Sequence, residues 1–171
     1  MTDRLEALMK IPNIEKTPGI VIGNWGYEAS STEFAAKLIE LHDKLSNIRA
    51  IFIGDILSEE NEISWINQSD LAPLINTYNQ LEYFGVRGGT GLTFSELTHH
   101  HLKTLIIETG GLSGQALRGI AHAELPALEH LDIWIGREDY GASVTLEDLQ
   151  PFYTGNHLPN LKYLALRNSD M

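Results

Sequence analysis

The chain has 171 residues, no cysteine, and 23 Asp and Glu against 12 Lys and Arg, a formal charge of −11. That length fits one domain, and the missing cysteines remove disulfide frameworks, thiolate metal sites and cysteine nucleophiles. The acidic balance argues against nucleic acid, whose phosphates need a positive field.

The first 16 residues place Leu5, Leu8, Met9 and Ile11 where they can cap the edge of whatever follows. Next comes GIVIGNW at 19 to 25, whose Ile20 and Ile22 lie two apart, the spacing of one face of a strand. From Ser31 to Leu45, Phe34, Leu38, Leu41 and Leu45 fall at steps of four, three and four, one face of a helix.

A six-residue pattern, apolar at its first, fourth and sixth positions, then begins and recurs five times. It reads Ile48, Ile51, Ile53; Leu81, Phe84, Val86; Leu102, Leu105, Ile107; Leu128, Leu131, Ile133; and Leu161, Leu164, Leu166. The first anchors are 33, 21, 26 and 33 residues apart, the spacing at which a repeat protein lays down one short strand per coil. Positions four and six share a face, so each copy predicts a half-buried strand, centred near 50–53, 83–86, 104–107, 130–133 and 163–166. A strand this short buries nothing alone. Stacked in parallel on identical neighbours, it builds a continuous apolar wall. The GIVIGNW stretch is a weaker sixth copy in front, with Gly23-Asn24 echoing Gly54-Asp55 and Thr17 breaking its first position.

Helices fit between the strands. Asp70 precedes Leu71, Leu74 and Ile75, with Pro73 in a first turn that has no internal use for its N–H. Ser113 can cap a helix carrying Ala116, Leu117 and Ile120, and Thr145 with Asp148 resembles a capping box ahead of Leu149 and Phe152. Residues 87 to 101 are too short and too rich in Gly for a long helix and predict a turn or a 3₁₀ piece. No charged start with an apolar signal region is present, and no apolar run reaches the roughly 18 residues of a membrane helix, which makes the cytoplasm the default location.

The LxxLxL core, with IFIGD at 51–55, LKTLIIETGGLS at 102–113, EDLQP at 147–151 and LPNLKYLALRNS at 158–169, resembles the leucine-rich repeat superfamily, in particular an uncharacterised bacterial branch associated with WGR-domain proteins. The resemblance implies an α/β fold, a right-handed superhelix with a curved parallel sheet and helices on its convex side. It implies one domain over 1–171, with residues 1–47 as cap and degenerate first repeat and 48–171 as five repeats. It carries no activity. The ninth position, often Asn in such repeats, holds Ile56, Gly89, Gly110, Gly136 and Ser169, so glycines are expected to make the turn by backbone freedom.

Candidate chemistry is sparse. The consecutive His99, His100 and His101 offer imidazoles, but neighbours in an extended chain point apart, and a solvated turn explains them equally well. GVRGGTGL at 85–92 lacks the Lys-Ser/Thr ending of a phosphate loop, and TGGLSG at 109–114 could present helix N–H groups to an anion. Asp132 and Glu108, outward on consecutive strands, could lie together, yet an open sheet gives paired carboxylates little catalytic use. These features define the alternative reading, a small-ligand, anion or metal-binding protein or enzyme. The main expectation is noncatalytic, with no cofactor and no metal.

That expectation rests on the outward face. Its third positions are Ala50, Tyr83, Thr104, His130 and Tyr163; its fifth, Phe52, Gly85, Ile106, Asp132 and Ala165; its seventh, Gly54, Arg87, Glu108, Trp134 and Arg167. Aromatics and Arg dominate many binding interfaces. Tyr83, Arg87, Glu108, His130, Asp132, Trp134, Tyr163 and Arg167 are the candidate contacts for a protein partner. No helix follows the last strand, so a longer natural chain or edge-mediated self-association is expected to cover Leu161, Leu164 and Leu166.

Overall fold

The computed structural model describes residues 2–154 and 157–169. Six strands run along the chain: β1 (Gly19–Ile22), β2 (Ala50–Ile53), β3 (Tyr83–Arg87), β4 (Thr104–Glu108), β5 (His130–Trp134) and β6 (Tyr163–Arg167). They form one sheet in the order β1-β2-β3-β4-β5-β6, every neighbouring pair parallel. The register follows the sequence repeat. Ala50, Tyr83, Thr104, His130 and Tyr163 stand side by side, and Gly19 to Ile22 joins them opposite Ala50 to Ile53. The weak first copy is therefore a strand despite Thr17.

The helices are α1 (Thr2–Leu8), α2 (Thr32–Glu40), α3 (Ala72–Thr77), α4 (Gly114–Ala121) and α5 (Leu146–Thr154), with short 3₁₀ turns among them. Local chemistry starts three of them where expected. Asp70 Oδ1 accepts from the Ala72 N–H at 3.1 Å, and Ser113 Oγ from the Ala116 N–H at 3.1 Å. The Thr145 N–H donates to Asp148 Oδ2 at 2.9 Å while the Asp148 N–H reaches Thr145 Oγ1 at 3.3 Å, a reciprocal capping box. Arg118 of α4 adds a 2.7 Å ion pair to Asp148, tying α4 to α5. Burial works against the Asp148 carboxylate, but the bonds from Arg118 and Thr145 outweigh it and hold its pKa below the usual value.

Strand and helix residues share one core. First, fourth and sixth positions are fully buried in the copies from Ile48 to Ile133, and they pack with Phe34, Leu38, Leu74, Ile75, Leu117, Ile120 and Leu149 from the helices. Leu5, Leu8 and Ile14 from the N-terminal segment join this core beside β1. Because the helices lie on the side of these positions, the side of the third, fifth and seventh is left uncovered. Among the described residues no helix is long and apolar enough to cross a membrane.

Candidate functional site

Parallel register carries the side chains of the uncovered face into columns. Each coil also binds the next at its second position: the Glu82 and Tyr83 N–H groups share the Arg49 carbonyl, those of Lys103 and Thr104 share Glu82, those of Glu129 and His130 share Lys103, and those of Lys162 and Tyr163 share Glu129. The side chains at that position alternate in sign, Arg49, Glu82, Lys103, Glu129, Lys162. Glu82 reaches Arg49 at 3.0 Å and Lys103 at 2.7 Å, and Lys162 reaches Glu129 at 2.9 Å. Hydrogen bonding and charge from Lys103, and then Arg49, lower the Glu82 pKa. This ladder borders the face.

The face itself divides in two. Around β3, the Arg87 Nε donates to Glu108 Oε2 at 2.8 Å, and its guanidinium lies 5.7 Å from the centre of the Phe52 ring. The Phe52 ring spreads over Gly85, where a Cβ would sit 2.5 Å from Phe52 Cδ2, so glycine at the fifth position makes room for the stack. Burial, with the nearby Glu108 charge, raises the Tyr83 pKa. Around β5 and β6, His130 stacks on Tyr163 at 4.2 Å between ring centres. Arg167 donates to the Tyr163 hydroxyl and reaches Asp132 Oδ2, each at 2.9 Å. Asp132 is only 8% exposed, and its Oδ1 is buried without a hydrogen-bond partner. Trp134 stands half-buried in register with Arg167.

All eight expected contact residues thus lie on one face. Asp132 and Glu108 do not form a carboxylate pair, because each is taken by an arginine one coil away. Asp132 is also less available than its outward position suggested.

The alternative sites are largely occupied by the protein itself. His99 is no solvated turn residue: it is 3% exposed, its Nε2 meets the Tyr78 carbonyl at 3.0 Å, and its Nδ1 accepts from the N–H groups of Leu102 at 2.9 Å and His101 at 3.2 Å. Burial lowers its pKa, the Tyr78 carbonyl opposing in part, so the ring is a neutral bridge between coils. Among the described residues no three His, Asp or Glu side chains are grouped to hold a metal ion. In the stretch 109–114, a Cβ on Gly111 would strike the Tyr140 carbonyl, and Ser143 Oγ accepts from the Gly114 N–H at 3.0 Å. Of the ninth-position glycines only Gly136 has positive φ, at 77°; Gly89 is glycine because Thr109 fills the space beside it. Packing between coils, more than backbone freedom, selects glycine there. A hollow of about 400 Å³ opens beyond the C-terminal ends of the strands, between Ile63, Ser64, Gly110, Arg137, Tyr140 and Asn168, with none of the eight expected contact residues in its lining.

Fold and face together define an α/β protein built on a sequentially ordered parallel sheet with one side uncovered. The chain is similar to a Bacteroides fragilis protein of known crystal structure, with a TM-score of 0.88 and 32% identity over 97% of this chain and 50% of that one. It spans about half the length of that protein. No protein-family model matches the sequence, and no curated protein does.

Proposed function

We propose that this chain is a noncatalytic protein-interaction module, a solenoid of the leucine-rich repeat kind and of the bacterial branch its motifs resemble, which docks a protein partner on the concave outward face of β3 to β6. One observation carries the reading: Tyr83, Arg87, His130, Trp134, Tyr163 and Arg167 share an uncovered face, where stacking and ion pairs hold Arg87, His130, Tyr163 and Arg167 in place before any partner arrives. Preset aromatic and Arg side chains lose little conformational entropy on binding, which is what makes such residues strong contacts. The arginines are already matched by Glu108 and Asp132, so the face is suited to an apolar or aromatic protein surface with polar edges. The surplus of acids over the rest of the chain speaks against nucleic acid and against anionic membranes.

Capture from the native host tests the proposal, comparing the chain with its Trp134→Ala and Tyr83→Ala variants. Both should retain the fold and lose the captured protein. Trp134 is the cleaner probe, since removing Arg87 would strand the half-buried Glu108 carboxylate. Capture undiminished in both well-folded variants would overturn the reading.

A further inference from the structure

A second hollow, of about 310 Å³, opens at the same end of the sheet, where the loops after β1, β2 and β3 converge. Tyr27 and Glu28 come from the first loop, Ser64, Trp65 and Asn67 from the second, and Thr90 from the third. Its two aromatic walls serve no core. Tyr27 is 64% exposed and Trp65 54%, and among the described residues neither stacks on another ring. The loops that carry them are nonetheless fixed. Trp25 Nε1 donates to the Ala29 carbonyl at 2.9 Å and the Gly26 N–H to Asn24 Oδ1 at 2.8 Å, bracketing Tyr27 and Glu28. Thr90 Oγ1 donates to the Ser64 carbonyl at 3.2 Å, and the Thr90 carbonyl accepts from the Gln68 N–H at 2.7 Å. Glu28 holds a left-handed backbone, φ 65°, where glycine or asparagine is easier, yet the chain keeps a carboxylate there. The segments that build the hollow carry one sign of charge. Residues 17–36, 50–86 and 88–102 contain no Lys or Arg, and the loop after β2 adds Asp55, Glu59, Glu60 and Glu62. Arg87, between two of these segments, is taken by Glu108.

We propose that this hollow binds an alkylated ammonium group, held against the rings of Tyr27 and Trp65 with the Glu28 carboxylate balancing its charge. Aromatic faces attract a cation through their negative quadrupole, and a cation wrapped in methyl groups gives up water easily. An unmethylated ammonium would need acceptors for three N–H bonds, which two rings and one carboxylate do not supply. An anion meets the repulsion of the surrounding carboxylates, and a neutral guest gains nothing from them. The volume lies at the lower end of small-molecule sites and suits a head group better than a whole cofactor. The site stands off the outward face of β3 to β6 and shares none of its candidate contact residues, so it holds whether or not that face meets a partner.

The tryptophans supply the test. The chain has three, and in an isotope-labelled sample the indole N–H signal of Trp65 is assigned by its loss in Trp65→Phe. Titration with tetramethylammonium chloride should move that signal along a saturating curve and leave Trp134 in place. Sodium chloride at matched ionic strength, and tert-butanol as a neutral molecule of similar shape, should not move it. Glu28→Gln, at an exposed position, should keep the fold and weaken binding roughly fivefold, the loss of one ion pair in water. Trp134→Ala should change nothing, which separates this site from the sheet face. A trimethyllysine peptide acting at lower concentration than choline assigns the group to a protein, and the reverse order assigns it to a small molecule. No movement of Trp65 with any of the three cations, equal movement with tert-butanol or sodium, or undiminished binding by a folded Glu28→Gln variant would overturn the proposal.

Discussion

His99 gives the sharpest test of how the coils are held together. Its imidazole bridges the Tyr78 carbonyl to the N–H groups of His101 and Leu102 and is almost wholly buried. Replacing it with alanine leaves two donors and one acceptor without their partner. A buried polar group left unsatisfied costs about 1–3 kcal/mol, so His99→Ala should lose about 3 kcal/mol once relaxation and water recover part of the total. That is a large share of a typical domain's stability of about 5–15 kcal/mol. Asparagine, whose carbonyl can accept from the N–H groups that follow, should lose only about 1 kcal/mol. The same bridge makes stability depend on pH. The folded pKa lies below the unfolded value of about 6.5, so the unfolded chain binds the proton more readily, and stability is complete above that value and falls as the pH drops below it. Protonation would turn Nδ1 into a donor facing two donors. Urea midpoints at mildly alkaline and mildly acidic pH should therefore separate for the wild type and draw together in His99→Asn. Burial pushes the His157 pKa down as well, so His157→Asn is the control for a slope of the same sign. A wild type equally stable at both pH values, or a His99→Asn variant with an unchanged slope, would refute the reasoning.

Repeat equivalence makes a second prediction: Leu131→Ala should lose about 2–5 kcal/mol, whereas Leu164→Ala, at the same repeat position but only partly buried, should lose clearly less, as chemical denaturation will report. Asp148 makes a third. Asp148→Ala removes the carboxylate half of the α5 capping box, worth up to about 1 kcal/mol, and its link to Arg118, so hydrogen exchange in α5 should accelerate while β3 and β4 stay protected. Equal costs in the two leucine variants, or unchanged exchange in α5, would contradict these assignments.

The strands were legible because one signal repeats. Alternation at the fourth and sixth positions is weak in any single copy, but five copies in register fix every neighbour, and even the copy broken at Thr17 fell into line. The starts of α3, α4 and α5 were legible because Asp70, Ser113 and the Thr145–Asp148 pair act on backbone groups a few residues away. Contacts across coils were harder to read. The alternating charges at Arg49, Glu82, Lys103, Glu129 and Lys162 stand in the sequence, and lining up the second position as the third, fifth and seventh were would have found them. The Arg167–Asp132 pair runs diagonally, from a seventh position to a fifth, and the stack of Arg87, Phe52 and Gly85 depends on how far side chains lean between strands. No column spacing encodes those. His99 misled for a different reason: three consecutive histidines suggest exposure, and only the fold reveals that the first turns inward to serve the backbone.

The claim that matters most is that the outward face of the sheet meets a protein. A photo-cross-linking residue placed at Thr104, on the outward face, and another at the exposed Gln115 of α4, on the helix side, test it inside the native host. The account predicts a discrete cross-linked partner from position 104, lost when Trp134→Ala is added, and none from 115. Cross-linking from 115 alone, or from 104 with no dependence on Trp134, would contradict it.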